Sequence, residues 1–313
     1  MADGAGVAAP VGGASLGTVA DLIRTLEITI TRRLDGVLHG NHQGLTPGHG
    51  SEPGESRSYQ PGDDVRRIDW NVTARTNETH VREQIADHDL EAWLVVDASA
   101  SMRFGTADHD KASIALAAAA AIGFLTARSQ NRLGAVVVSG PDLRVIPPRT
   151  GQVQVRAVLS AVANAPDAER RGASDLAGAI DRVGAIARRR GFVAVISDFA
   201  GADWTDALAR IGLRHDLLAV TVSDPRERDV PPIGFVELVD PSTGATREIR
   251  VTAEVQRRFA DAASVDHAAR IDGVHRAGAE LIELSTDGDW LASIVRHVQQ
   301  RRVQVSRGGF ARR

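Results

Sequence analysis

Residues 93–102 read WLVVDASASM, an apolar run that ends with one carboxylate and two hydroxyl groups. Asp97, Ser99 and Ser101 occupy alternate positions where a strand is expected to stop. Side chains of these types could form a catalytic nucleophile with its helpers, a set of oxygen ligands for a metal ion, or an ordinary aspartate-capped turn. The spacing of these residues is compatible with all three kinds of site. Oxygen-bearing residues elsewhere in the chain must therefore distinguish between a nucleophile, a metal site and a capped turn.

Two later segments supply further oxygen atoms. RGASDLAGAI places Ser174 and Asp175 at the start of a predicted helix, and VAVISDF places Asp198 at the end of a predicted strand. In open α/β sheets ligands bind beyond the carboxyl ends of the strands. Carboxylates and hydroxyls with no nearby His or Cys suit Mg²⁺, and Mn²⁺ or Ca²⁺ also accept them. We therefore predict a divalent metal site with one open coordination position, formed by Asp97, Ser99, Ser101, Ser174 and Asp198, whereas Asp175 is more typical of a helix cap.

The segments between these groups predict the fold class. Continuous Val/Ile/Leu runs alternate with helical patterns after about residue 88, which indicates a doubly wound α/β domain with a mostly parallel sheet buried on both faces. The predicted strands are LEAWLVV, LGAVVV with LRVI as its hairpin partner, FVAVIS, HDLLAVTV and AELIELS, with a small FVELVD/REIRV hairpin. The predicted helices cover residues 111–129, 152–163, 175–189, 203–212, 253–276 and 288–304.

Four regions follow from this pattern. Residues 1–14 are predicted to be a disordered tail, 15–88 an N-terminal helix with an irregular and β extension, 89–300 the α/β domain, and 301–313 a basic tail. Within the extension, Ile68, Trp70 and Val72 alternate with polar residues, which predicts a half-buried strand with Trp70 in the core.

Composition excludes several classes of protein. The 313-residue chain has no cysteine, so disulfides, thiolate zinc sites and cysteine catalysis are ruled out. Its net charge of −3 gives no general attraction to nucleic acid. The apolar, Ala-rich stretch 112–127 is shorter than the roughly 20 residues that a bilayer span needs, which favours a buried core helix. The N-terminus lacks the pattern of a signal peptide, so we expect a cytoplasmic protein without a membrane span.

The Asp-x-Ser-x-Ser sequence, the helix-start hydroxyl and the strand-end aspartate together resemble the metal-ion-dependent adhesion site of von Willebrand factor A domains. The resemblance implies that Asp97, Ser99 and Ser101 are first-loop ligands and that Asp198 is the distal carboxylate. Ser174 stands where that family usually has Thr. It also implies a protein-binding module and not an enzyme, because the metal's open position would accept a partner's carboxylate.

Two longer runs are similar to a bacterial family of uncharacterised function whose members accompany MoxR-type AAA+ ATPases. They are SYQPGDDVRRIDWNVTARTNETHVRE at 58–83 and SDPRERDVPPIGFVELVDPSTG at 223–244. The resemblance covers about residues 20–300 and implies an adaptor role toward such an ATPase or its client protein. Many relatives carry two N-terminal membrane spans, and none is predicted here.

Three other functions remain open at this stage. A Mg²⁺-dependent phosphotransferase or phosphatase could use Asp97 as its nucleophile, but such sites place a second Asp two residues later, where this chain has Ser99. No lysine is expected to complete that site, since the chain's one lysine, Lys111, opens a helix. A serine hydrolase lacks its G-x-S-x-G turn and a histidine partner. A structural role with a vestigial site is the third alternative.

Overall fold

The computed structural model describes residues 19–38, 56–59, 68–76, 78–82, 90–107, 109–166, 174–201, 204–240 and 243–308. The predicted disordered tail, and most of the Gly-rich stretch that follows the first helix, lie outside these residues. The helices are α1 Val19–Leu38, α2 Trp70–Thr76, α3 Lys111–Arg128, α4 Gln152–Ala163, α5 Leu176–Ile186, α6 Trp204–Gly212, α7 Ala253–Arg276 and α8 Trp290–Gly308. The strands are β1 Ser56–Ser58, β2 His80–Arg82, β3 Glu91–Asp97, β4 Arg132–Ser139, β5 Asp142–Arg149, β6 Phe192–Ser197, β7 Asp216–Ser223, β8 Phe235–Val239, β9 Thr246–Arg250 and β10 Glu280–Ser285.

A six-stranded sheet in the order β10-β7-β6-β3-β4-β5 forms the centre of the domain. All neighbouring pairs are parallel except β4 and β5, which form an antiparallel hairpin. Strands β3 and β6 consist of continuous apolar runs, because helices cover both faces of the sheet and leave no solvated side. The predicted fold class, a doubly wound and mostly parallel α/β sheet, is therefore confirmed.

Helix α3 lies within the larger of two hydrophobic clusters, on one face of the sheet. Its N-terminus is capped by Asp110, whose carboxylate accepts a hydrogen bond from the backbone N–H of Ser113 at 2.7 Å. Of the described helices, α3 is the one long and apolar enough to cross a membrane, and 83% of it is buried inside the protein. The expectation of a buried core helix is thus confirmed.

The predicted strand around Trp70 is wrong. Asp69 accepts hydrogen bonds on Oδ1 from the backbone N–H groups of Asn71 (3.1 Å) and Val72 (3.3 Å), which caps and starts helix α2. The three-residue alternation was too short to distinguish a strand from this capped turn. Trp70, expected in the core, is the first helical residue and is 71% exposed. The sequence also predicts ion pairs of Asp69 with Arg66 and Arg67, and these two arginines lie outside the described residues.

The segment between β7 and α7 carries the predicted small hairpin, β8–β9, which forms a separate two-stranded antiparallel sheet. Strand β7 ends at Ser223, so this segment leaves the carboxyl edge of the central sheet. The first loop after β3 and the loop after β6 leave the same edge, because β3, β6 and β7 are parallel. The hairpin and the predicted site residues are therefore located at one end of the domain.

Candidate functional site

Asp97 lies at the centre of the candidate site, as the last residue of β3 and almost fully buried. Its Oδ1 accepts the backbone N–H of Ser99 at 2.9 Å, which closes a tight turn, and the hydroxyl of Ser174 at 3.2 Å. Its Oδ2 accepts the hydroxyl of Ser197 at 2.7 Å. Three segments that are distant in sequence therefore meet at one carboxylate.

The remaining predicted hydroxyls extend this network toward Asp198. The Oγ atoms of Ser99 and Ser101 are 3.2 Å apart, and the Ser101 hydroxyl contributes to lowering the pKa of the Asp198 carboxyl. The five predicted ligands line a single cavity of about 290 Å³ at the carboxyl edge of the sheet. The structure thus brings together all the residues that the sequence assigned to a metal site.

A strained turn fixes the position of Asp198. The next residue, Phe199, has φ of +52°, a left-handed conformation that is unfavourable for a bulky side chain. Surrounding contacts hold it there: its N–H bonds the hydroxyl of Ser197 at 3.0 Å, and its ring packs edge-on against Trp204. The Asp198 carbonyl accepts from Arg270 at 3.0 Å. The carboxylate is therefore presented by a rigid loop.

Lys111 reaches the site, contrary to the prediction that no lysine completes it. Its Nζ donates to Asp198 Oδ2 at 2.8 Å and to Glu227 Oε1 at 2.5 Å, and its side chain is 1% exposed. Although Lys111 is the first residue of α3, its long side chain spans the distance to β6, which the sequence position could not reveal.

A second polar cluster, centred on Asp224, holds Glu227 in position. Asp224, which follows β7, accepts hydrogen bonds from the hydroxyls of Thr106 and Thr286, both at 2.6 Å, and from the backbone N–H of Arg226 at 2.8 Å. Asp224 and Glu227 also form a reciprocal capping box around a single 3₁₀ turn. This cluster, which sequence reasoning missed, ties the segment after β7 to the first site loop.

Burial and charge determine the protonation of the carboxylates. Burial raises the pKa of Asp97 above its usual value, and the nearby charge of Asp198 raises it further, against the lowering effect of its hydrogen bonds. Burial also acts to raise the pKa of Asp198, but the ammonium of Lys111 and the hydrogen-bond donors around this carboxylate together outweigh it, so this pKa is lowered. Burial disfavours a charged Lys111, yet Asp198 and Glu227 overcome it and raise the pKa of the lysine.

The donor set fits a hard divalent cation. Within the described residues no three His, Asp or Glu side chains converge on one point, so any cation here would be bound by two carboxylates and by hydroxyl oxygens. The mutual repulsion of Asp97 and Asp198 is the interaction that such an ion would relieve. The ammonium of Lys111 offsets part of this repulsion, because it forms an ion pair with Asp198. Asp175, in contrast, caps α5 by accepting the N–H of Gly178 at 2.9 Å, as its helix-start position predicted.

Ser197 is a further contributor that the sequence analysis left out. It is fully buried and bonds Asp97, although it directly precedes the predicted ligand Asp198. A polar residue at the end of an otherwise apolar strand was the available signal.

Comparison with known proteins identifies the family. Residues 55–269 match the model described as "Protein of unknown function DUF58". The chain is also 50% identical over 285 residues to the "Uncharacterized protein Rv1480" of Mycobacterium tuberculosis, covering 91% of this chain and 90% of the relative. The protein belongs to the DUF58 family. A second relative, "Uncharacterized protein MAV169" of Mycobacterium avium, is 40% identical over 169 residues, covering 54% of this DUF58 chain and 98% of the relative.

Three solved structures are similar to this DUF58 protein at low identity. An aerotolerance-related membrane protein from Bacteroides fragilis aligns with a TM-score of 0.44 and 13% identity, covering 67% of this chain and 97% of that one. The BatB protein from Bacteroides thetaiotaomicron aligns with a TM-score of 0.41 and 12% identity, covering 67% and 98%. The SpRpn10 VWA domain aligns with a TM-score of 0.39 and 12% identity, covering 66% and 94%.

Proposed function

We propose that this protein is a metal-dependent protein-binding module. In this proposal Asp97, Ser99, Ser101, Ser174 and Asp198 hold a divalent cation, Mg²⁺ or its relatives Mn²⁺ and Ca²⁺. The observation that supports it best is the convergence of these five side chains on one cavity at the carboxyl edge of the sheet. A bound cation would supply one open coordination position for a carboxylate of the partner protein.

The charge of the site supports a divalent ion. Asp97, Asp175 and Asp198 line the cavity, and Glu227 adjoins them through Lys111. When all four carboxylates are ionised, the one positive charge of Lys111 leaves a formal −3. A divalent cation would neutralise most of this excess, whereas a second lysine or arginine could not do so alone. Asp97 and Ser174 are held together through a direct hydrogen bond, so little reorganisation is required to present their oxygens.

The partner is proposed from the sequence resemblance. Relatives with the runs at 58–83 and 223–244 accompany MoxR-type AAA+ ATPases, so we propose such an ATPase, or a client that it remodels, as the carboxylate-bearing protein. This binding role requires no general base, and the described lining of the cavity contains no histidine.

The metal step is tested by calorimetric titration of Mg²⁺ and Mn²⁺ into the wild type, Asp97→Ala and Asp110→Asn. We expect Asp97→Ala to weaken affinity at least tenfold. Asp110→Asn is the matched control, because Asn also caps helices and Asp110 caps α3 without lining the cavity. Equal affinity in the wild type and Asp97→Ala would remove the metal from the proposal.

The partner step is tested by pull-down with a purified MoxR-type AAA+ ATPase from the same organism. We expect capture in Mg²⁺, and loss of capture in EDTA and with Asp97→Ala. If capture is undiminished under both conditions, the contact does not use the cation.

The position of Lys111 favours one alternative, a Mg²⁺-dependent phosphotransferase or phosphatase with Asp97 as its nucleophile. A lysine beside the distal aspartate is a feature that such sites use, and it is present here. Against it, both oxygens of Asp97 accept hydrogen bonds and the second aspartate is replaced by Ser99. Turnover of an aryl phosphate that disappears in Asp97→Ala would establish the enzyme.

A further inference from the structure

The β8–β9 hairpin is separate from the other described strands. It forms its own two-stranded sheet, and no third described strand pairs with β8 or β9. An isolated two-stranded hairpin is marginally stable in water, and unpaired strand edges readily accept another extended chain. The hairpin also stands at the carboxyl edge of the central sheet, where the candidate site lies.

One face of the hairpin is entirely exposed. Directly opposite residues of an antiparallel pair share a face, and alternate residues along a strand do so as well. Phe235 is opposite Arg250, Glu237 opposite Glu248, and Val239 opposite Thr246. We call these six residues the hairpin face; all of them are exposed.

The hairpin face has an unusual arrangement for a solvated surface. Phe235 is 65% exposed and Val239 is 59% exposed. Between them, Glu237 and Glu248 face each other across the strands, an arrangement of like charges that destabilises a hairpin. Neither glutamate forms an ion pair with a described residue. Arg250 lies over the Phe235 ring, 5.9 Å from its centroid.

We propose that the edge of β8 binds an extended segment of a partner protein as a third strand. The segment has the pattern apolar-x-Arg/Lys-x-apolar. Its alternate residues then lie on the hairpin face, with the cation opposite Glu237 and the apolar side chains opposite Phe235 and Val239. The cation relieves the repulsion between Glu237 and Glu248, and the apolar side chains cover exposed surface. This proposal is independent of the metal site.

A second copy of the chain does not fit this edge. Symmetric pairing of two β8 strands about their middle residue would bring Glu237 opposite the same residue of the other copy, which adds repulsion instead of removing it. The occupant is therefore a segment of opposite charge.

The test uses the full chain and three synthetic peptides. The first, acetyl-TVTRTVT-amide, has the required pattern. The second replaces its arginine by citrulline, which has nearly the same shape without the charge. The third, acetyl-TTVRVTT-amide, places the valines on the face opposite the arginine. Binding is measured by fluorescence anisotropy of labelled peptides, and the site by amide chemical shifts in NMR.

We expect the first peptide to bind at least tenfold more tightly than the other two and to shift the amides of residues 235–239. The double variant Glu237→Gln, Glu248→Gln removes the repulsion, so it should fold, and it should bind the arginine peptide no better than the citrulline peptide. The double variant Glu78→Gln, Asp261→Asn removes the same charge elsewhere and should bind as the wild type does. Four results would each overturn the proposal. The wild type could bind the arginine and citrulline peptides equally well, or bind neither at millimolar concentration. The amide shifts could be confined to residues outside 235–239, or the wild type could dimerise through β8.

Discussion

Replacement of Lys111 by Met should cost this protein a large part of its stability. Lys111 is the only lysine of the chain, and its side chain is 1% exposed beside an Asp198 side chain that is 5% exposed. Removal of one partner from a buried ion pair typically costs about 3–5 kcal/mol, because the other charge is left uncompensated. Glu227 contributes less, because 28% of its side chain is exposed.

The lower end of that range applies here. After the substitution Asp198 keeps its hydrogen bond from the backbone N–H of Ala200 at 3.1 Å. Met fills nearly the same apolar space as the lysine stem, so no large cavity forms. We therefore expect a loss of about 3 kcal/mol in the free energy of unfolding, which corresponds to a fall in Tm of about 5 °C for a chain of this length.

Urea unfolding followed by circular dichroism measures this loss in EDTA and in MgCl₂. Mg²⁺ should restore more stability to Lys111→Met than it adds to the wild type, because the cation then replaces the missing positive charge. Arg210→Met is the matched control, because Arg210 pairs with Asp181 at 2.8 Å on an exposed surface, where such a pair contributes about 0–1 kcal/mol. A loss for Lys111→Met below about 1 kcal/mol, or no larger than that of Arg210→Met, would refute the assignment of a buried pair.

Three further predictions test other parts of the structure. Ser197→Ala removes a donor to Asp97 from a fully buried position and should cost about 1–3 kcal/mol in the urea unfolding free energy; a change within about 0.3 kcal/mol would contradict the hydrogen bond. Trp70→Ala should change stability by less than about 0.5 kcal/mol, because Trp70 is exposed, whereas a loss above about 2 kcal/mol would place it in the core as the sequence suggested. Burial lowers the pKa of His215 below its usual 6.5, and the positive charge of Arg214 lowers it further. Because the unfolded chain then takes up a proton more readily than the folded protein, stability should be lost as pH falls below about 6.5. Unfolding measured between pH 7.5 and 5.5 should show a weaker pH dependence in His215→Phe, and an unchanged dependence would rule His215 out as the source.

The fold was predictable because its signals are long and repeated. Runs such as LEAWLVV and FVAVIS each contain five consecutive apolar residues, a length that is typical of a strand buried on both faces. The short alternation around Trp70 covered three positions, and the capping carboxylate of Asp69 determined the local structure instead. A long apolar run therefore predicted the strands correctly, whereas a short alternation failed where a single hydrogen-bonding side chain determined the local structure.

The candidate site was predictable in part for a similar reason. Strand ends of a parallel sheet meet at one edge, so the sequence alone predicts that Asp97 and Asp198 lie close together. The contact of Lys111 with Asp198 joins residues 87 positions apart through a flexible side chain, and no periodic pattern encodes such a contact. The support of Glu227 by Asp224 likewise depends on three-dimensional packing across loops.

The burial of Lys111 also determines how this protein reacts with reagents and enzymes that modify amino groups. Since the chain has one lysine and the fold encloses it, acylating reagents and enzymes that modify ε-amino groups find no accessible target on the native surface beyond the chain's α-amino group. Labelling of residue 111 would therefore report the opening of the site region itself, and its rate with and without Mg²⁺ would give a direct kinetic measure of how often that region opens.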